Sequence, residues 1–453
     1  MKKRLTITTI ALLIISINAI AQELTNPLDT LTAFVQKMNT SVTTLQKFKV
    51  SGYVQSQWQK ADSMGIKSYS GGDFDSKMDN RFAVRRGRIK FSYTGTLSNY
   101  VLQLEATEKG VSIKDAYGNF TEPWLQAFTV TGGVFNRPFG FEVPFSSSSL
   151  ESPERARFNQ TLFPGEEDLG ASITFQMPKT SLWNFLKFEA GYFAGNGINP
   201  EFDKKKDFIG HIGIQKATSN EKIRFGFGLS YYNGGVYQGT KNVYKMKKIG
   251  GVEVFSKVSA DSTVGDFNKR QYFGTDAQLT FETALGLTTL RGEYIFGTQP
   301  GNDKSTTSPT SDFTKVTATV KNGAVTVSTV PDSYLRNFNA GYICFIQSIA
   351  HTPLTFVAKY DFYDPNTKVN GNEIGQNTTG TGIKATNDTD LKYTTLGLGL
   401  IYAVSSNVKI TAYYDMVANE KSKNLKPDFS KSNSNFAKDL KDNVFTLRLQ
   451  YKF

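Results

Sequence analysis

"DNVFTLRLQYKF", Asp442 to Phe453, is the last stretch of the chain. Val444, Thr446, Arg448, Gln450 and Lys452 fall on one side of it, and Phe445, Leu447, Leu449, Tyr451 and Phe453 on the other. Successive side chains of a strand point to opposite faces, so this unbroken alternation spells a strand with one oily and one wet side. A soluble sandwich and a membrane barrel both use such strands. The rest of the chain decides which solvent the oily side meets.

The first residues bear on destination. Lys2, Lys3 and Arg4 are followed by an uncharged, largely apolar run from Leu5 to Ala21, ending in Ala19-Ile20-Ala21. That is the three-part pattern of a secretory signal with an A-x-A cleavage site, so residues 1–21 read as a signal peptide. A membrane-anchoring helix is the alternative, and the short run and well-formed cleavage site count against it. Gln22 follows the site rather than cysteine, so a lipid-anchored N-terminus is not indicated. No other stretch approaches the roughly 18 apolar residues of a spanning helix. Cys344 is the single cysteine, which rules out an intramolecular disulfide. Its neighbours Tyr342, Ile343 and Phe345 point to a packed or lipid-facing thiol.

The 453 residues carry 52 Lys and Arg against 40 Asp and Glu, a formal charge of +12. Without Lys2, Lys3 and Arg4 the balance is 49 against 40, or +9. Such a chain attracts nucleic acid, anionic lipid or small anions, and export argues against nucleic acid. Aromatics make up 13% of the chain, yet mean hydropathy is −0.34. A barrel around an aqueous lumen produces this combination, because half of each strand faces water.

Residues 22–47 differ from the rest of the chain. Leu28, Val35 and Val42 are seven apart, as are Leu31, Met38 and Leu45, which gives a and d positions of a short heptad repeat. This segment is expected to be helical or a short oligomerising coil; packing on the barrel or a loose linker are the alternatives. From Phe48 onward the period is two. Candidate strands are 48–58, 82–95, 98–108, 111–120, 127–136, 168–178, 183–195, 207–216, 222–232, 270–284, 286–298, 336–349, 354–364, 391–404, 407–418 and 442–453. Leu97–Ser98, Lys109–Gly110, the 217–221 gap and Val404–Ser406 read as tight turns. The stretches 59–81, 137–167, 233–269, 299–335, 365–390 and 419–441 are long and polar. Short turns at one end and long loops at the other are the pattern of an all-β transmembrane antiparallel barrel of about sixteen strands. Residues 48–453 are therefore read as one outer-membrane β-barrel, whose oily side meets lipid. A plugged 22-stranded transporter would need several hundred more residues.

"RFAVRRGRIKFSY", Arg81 to Tyr93, carries the densest charge. With Arg85, Ile89, Phe91 and Tyr93 toward lipid, Phe82, Val84, Arg86, Arg88 and Lys90 point inward. Cations on the lipid side would cost roughly 2–4 kcal/mol each near the midplane. Spaced about 6.6–7 Å apart, the inward three form a ladder that can pass an anion between sites. The same alternation turns Glu105, Asp276, Glu282, Glu293 and Asp361 inward, with Arg291, Lys359, Arg448 and Lys452. In the stretch 137–167, Arg137, Arg155 and Arg157 face Glu142, Glu151, Glu154, Glu166 and Glu167, a net acidic loop. Opposed rows of charge make a transverse field without strong preference for either sign, which keeps a general, weakly selective pore open as an alternative.

"RRGRIKFSYTGTL", "VSIKDAYGNF", "VTGGVFNRPFGFE", "SSLESPERARF", "DLGASITF", "EYIFGTQ", "KYDFYDPNTK" and the terminal "LRLQYKF" together resemble the phosphate-selective porins O and P and their relatives. The resemblance covers nearly all of the chain after Phe48. It implies a sixteen-stranded homotrimeric barrel in the bacterial outer membrane, an inward-folded third loop and an arginine-lined path for small anions such as phosphate. Arg86, Arg88 and Arg137 match the basic positions of the family's motifs, and the heptad before Phe48 is similar to its N-terminal coils. The expected anion path is Arg86, Arg88, Lys90, Arg137, Arg155, Arg157, Arg291, Lys359 and Arg448. No cofactor is expected.

Catalysis has little to stand on. His211 and His351 are the two histidines, far apart, and alternation points His211 into the lumen with Gln215. No phosphate loop, zinc spacing or nucleophile elbow is present. Asp364-Pro365-Asn366 reads as a turn opening a long loop rather than as a metal site. A structural barrel with a blocked lumen is the remaining rival, and it would insert without conducting.

Overall fold

The computed structural model describes residues 27–309, 317–321, 324–328, 330–427 and 434–453. The signal peptide expected at 1–21 and the start of the 22–47 segment lie outside them. The chain divides into two units, 1–49 and 50–453.

In the first unit, helix α1 (Pro27–Gln46) takes most of the expected helical segment. Leu31, Phe34, Val35, Met38, Val42 and Leu45 along it are all exposed. No helix among the described residues is long and apolar enough to cross a membrane, which says nothing of strands.

The second unit is built on β1 (Phe48–Ala61, whose first two residues fall in the first unit), β2 (Asn80–Thr94), β3 (Ser98–Thr107), β4 (Gly110–Thr121), β5 (Phe128–Asn136), β6 (Glu167–Gln176), β7 (Leu186–Phe193), β8 (Asp207–Ala217) and β9 (Ile223–Tyr237). It continues with β12 (Phe267–Thr283), β13 (Gly286–Gly301), β16 (Ser333–Ser348), β17 (Leu354–Asp364), β19 (Tyr393–Ala403), β20 (Val408–Asn419) and β21 (Val444–Lys452). Each of these sixteen pairs antiparallel with the next, and β21 pairs with β1 from Val444↔Ala61 to Lys452↔Tyr53, which closes the barrel. Closure matters because an open strand edge in lipid would leave backbone groups unpaired.

The last strand shows which way its oily side points. Val444 and Thr446 are 0% exposed and Arg448 and Gln450 4%, while Leu447, Leu449, Tyr451 and Phe453 are 42–50% exposed. The oily side is the outer one on other strands too, as Ile89, Leu102, Val130, Ile173, Leu229, Phe273, Ile343 and Leu398 show. Polar side chains point in and bond across the seam, Gln55 to Gln450 at 2.7 Å and Gln59 to Thr446 at 2.9 Å. A wall that is apolar outside and polar inside is stable only in lipid.

Long loops 62–79, 137–166, 194–206, 238–266, 302–332, 365–392 and 420–443 share one end of the barrel with the two-residue connection 108–109. Lys109–Gly110 therefore belongs to the long-loop end and not to the short-turn end. The loops hold structure that alternation did not reveal. These pieces are hairpin β10 (Asn242–Ile249) with β11 (Val252–Ser259), hairpin β14 (Thr317–Lys321) with β15 (Ala324–Ser328), strand β18 (Ile383–Lys384) and helix α2 (Arg157–Leu162). At the head of 365–392, Asn366 N–H donates to Asp364 Oδ1 at 3.1 Å, the turn expected there.

The third loop, 137–166, folds into the lumen. Its Phe139, Phe158, Leu162 and Phe163 pack on Tyr232, Tyr272, Phe338 and Tyr342 of the inner wall. Ring centroids lie 5.0 Å apart for Phe139–Phe163, 5.8 Å for Phe163–Tyr272 and 6.3 Å for Phe158–Tyr342. Burying each phenylalanine is worth roughly 1.5–3 kcal/mol. Cys344 belongs to this cluster, so its thiol is packed inside rather than lipid-facing. The loop occupies the side lined by β5–β20 and leaves polar space beside β2–β4.

Candidate functional site

Alternation fails at two places on that polar side, and both failures turn charge inward. On β2, Phe82 is 86% and Val84 37% exposed, while Arg85 and Arg86 both reach Glu154 of the third loop. Phe82 and Val84 therefore face lipid, and Arg85 faces in, against expectation. The side-chain direction slips by one residue between Arg85 and Arg86. On β4, the register against β3 shifts between Gln103↔Asp115 and Leu104↔Ile113, which leaves Lys114 as the extra residue of a bulge. Lys114 and Asp115 are consequently both buried.

These departures build a cavity of about 260 Å³ between loop and wall. Arg85, Arg86, Arg88, Lys114 and Arg155 line it, with Glu105, Glu154 and Glu166. Glu154 is the hub. It accepts from Arg85 Nε at 2.8 Å, Arg86 Nη2 at 2.8 Å and Arg448 Nη2 at 2.7 Å. Burial pushes the Glu154 carboxyl up, but the three guanidiniums overcome this and hold it well below the usual carboxylate range. Arg88 pairs with Glu105 at 2.7 Å and donates to Ser147 Oγ at 3.1 Å. Lys114 reaches Glu167 at 2.7 Å, and Arg155 reaches Glu166 at 2.9 Å.

Of the nine expected path residues, Arg86, Arg88 and Arg155 line this cavity and Arg448 touches it through Glu154. The others do not converge there. Lys90 opens into a second cavity nearer the short turns. Arg137 is 1% exposed and held by Asp168 at 3.2 Å. Arg157 lies over the rings of Tyr69 and Tyr393, 4.5 and 3.7 Å from their centroids. Arg291 pairs with Glu151 at 3.0 Å, and Lys359 pairs with Glu142. Arg85 and Lys114 complete the cavity and were missed. Their signal was two adjacent charges inside a strand, "RR" and "KD", which strict alternation cannot place on one wet side.

The four acids of the third loop, and Glu167 at the start of β6, are all engaged. Glu142 takes Lys359, Glu151 takes Arg291, Glu154 takes three arginines, and Glu166 and Glu167 share Lys114. They fasten the loop instead of presenting a free acidic row. Backbone bonds add to this: Phe141 and Glu142 N–H donate to Glu293, and Gly140 N–H donates to Ser230 Oγ at 2.9 Å. Gly140 has φ +62°, and a Cβ there would lie 2.3 Å from Glu293 Oε1. The positive φ and this close approach both favour glycine. His211 faces the lumen as expected, with Nε2 3.1 Å from Asp276.

A closed sixteen-stranded antiparallel barrel with its third loop folded inside is the architecture of an outer-membrane porin. The chain is similar in structure to OprB of Pseudomonas putida, with a TM-score of 0.51, 10% identity, and 91% of this chain and 96% of that one covered. Likeness to OmpF of Salmonella typhi is weaker, at TM-score 0.47, 12% identity and 90% and 97% covered. For the outer membrane channel DcaP of Acinetobacter baumannii the values are 0.46, 11%, 90% and 97%. Identity this low speaks for the fold alone. No family model and no curated protein matches the chain in sequence.

Proposed function

We propose that the chain is an exported outer-membrane porin through which small hydrophilic solutes diffuse passively, small anions such as phosphate foremost. The observation that carries this is the cavity between third loop and wall, where five cations meet three carboxylates. An anion there exchanges hydration for guanidinium donors, whose planar fork suits phosphate and carboxylate oxygens. Movement is down the gradient and needs no cofactor, metal or catalytic group. The exposed stripe on α1 fits a homotrimer, each copy supplying one strand of a short coil.

A planar bilayer under a KCl gradient tests the reading. A reversal potential toward that of chloride, with phosphate blocking the current, supports an anion path. A potential near zero or toward potassium, without block, leaves a general pore and removes phosphate. Insertion without conductance leaves a structural barrel.

A further inference from the structure

The second cavity has a different chemistry from the first. It measures about 480 Å³ and lies on the short-turn side of the third loop. Lys90 is four residues further along β2 than Arg86, roughly 13 Å toward the short turns. Phe141, Pro144 and Phe145 of the loop form one wall. The rings of Phe141 and Phe145 are 4.8 Å apart, and both are half-buried. Arg291 covers them on one side, 4.3 and 4.9 Å from their centroids.

The opposite wall carries three bases and three acids: Lys90, Lys187, His211, Asp115, Glu189 and Asp276. Four of these are spent on each other, Lys187 with Glu189 at 2.9 Å and His211 with Asp276 at 3.1 Å. Lys90 and Asp115 make no ion pair among the described residues. They stand in one row across β2, β3 and β4, with Gln103 between them, because Lys90 pairs with Gln103 and Gln103 with Asp115. That places their backbones roughly 9–10 Å apart. The β4 bulge decides this arrangement, since it sends Lys114 to the first cavity and Asp115 to the second.

One available cation, one available anion and an aromatic wall define a ligand. A simple anion has no use for the carboxylate or the rings. A neutral apolar molecule would strip water from Lys90 and Asp115 while leaving each without a direct ion-pair partner, which is costly. We propose that this second cavity binds a zwitterion bearing an apolar ring, an aromatic α-amino acid. Its carboxylate meets Lys90, its ammonium meets Asp115, and its ring lies on Phe141, Pro144 and Phe145. Such a ligand satisfies all three features at once, and charge-assisted bonds at both ends fix its orientation. The inference rests on the porin reading only in that the ligand arrives through the lumen.

Isothermal titration of the folded full chain in detergent with L-phenylalanine tests it without relying on conductance. Phenylalanine is expected to bind, and phenylpropionate, phenethylamine and alanine, which each lack one feature, are expected to bind at least about tenfold more weakly. Lys90→Gln and Asp115→Asn should each weaken phenylalanine by about tenfold, while each variant keeps the heat-modifiable gel mobility of a folded barrel. Absent binding of phenylalanine, equal binding of phenylpropionate, or full affinity in folded Lys90→Gln overturns the proposal. An anion-selective channel that ignores phenylalanine sinks this inference alone. A non-selective channel that binds phenylalanine sinks only the anion reading.

Discussion

Arg448 on the final strand donates to Glu154 of the third loop at 2.7 Å, joining residues 294 positions apart. The same carboxylate takes Arg85 and Arg86, so one side chain ties the loop to both β2 and β21 and contributes to the charge balance of the cavity. Three cations around one anion, Arg86 and Arg448 buried and Arg85 partly exposed, leave a local surplus of positive charge.

Glu154→Gln should expose that surplus. The reversal potential under a KCl gradient is expected to move further toward chloride, and the barrel to lose about 3 kcal/mol of stability, the order of cost for breaking a buried ion pair. Denaturation monitored by gel mobility and bilayer recording together check this. A variant with unchanged selectivity would show that Glu154 does not govern the charge that solutes meet.

Gly140→Ala should loosen the third loop without opening the barrel. The added methyl collides with Glu293 Oε1, whose carboxylate anchors the Phe141 and Glu142 amides. The expected result is noisier single-channel current with the folded gel mobility retained. Quiet current identical to that of the parent would mean the loop is held elsewhere.

The strands were legible in the sequence because lipid enforces alternation residue by residue. Leu354–Asp364 came out to the residue, and the final strand within two at its start. What alternation could not show is where it breaks. Arg85–Arg86 and Lys114–Asp115 each put two neighbours on the wet side, and the bulge that does so at Lys114 exists only in its pairing with β3. The fate of the loop acids was hidden for a similar reason. Glu142 finds Lys359 across 217 residues, a contact that no local pattern reports.

Acidity should act through Asp442, in the loop before the last strand. Burial pushes its carboxyl up to about 7, Arg157 opposes this, and Asp439 adds to it. The folded value lies above the unfolded one, so the folded state holds the proton more tightly. Stability contributed by this group is therefore greatest in acid and falls as pH rises from about 4 to about 7, then levels off. Asp442→Asn should flatten that part of the profile in thermal denaturation from pH 4 to 8. A parent profile that rises through this window would contradict the assignment.

The exposed stripe on α1 bears on assembly. Val35, Met38 and Val42 are 46–51% exposed on a single chain, a poor arrangement for apolar side chains in water. Three such helices side by side bury the stripe in the manner of a short coil, where a and d positions fill the shared seam. Under three heptads make a weak coil on their own, so its contribution adds to whatever the barrels provide. Replacing Val35 and Met38 together by Asp puts like charges into that seam. The trimer measured by light scattering in detergent should dissociate at lower temperature than the parent, with the monomer's strand signal in circular dichroism unchanged. A trimer of equal thermal stability would show that α1 takes no part in assembly, and a parent that is monomeric throughout would remove the trimer itself.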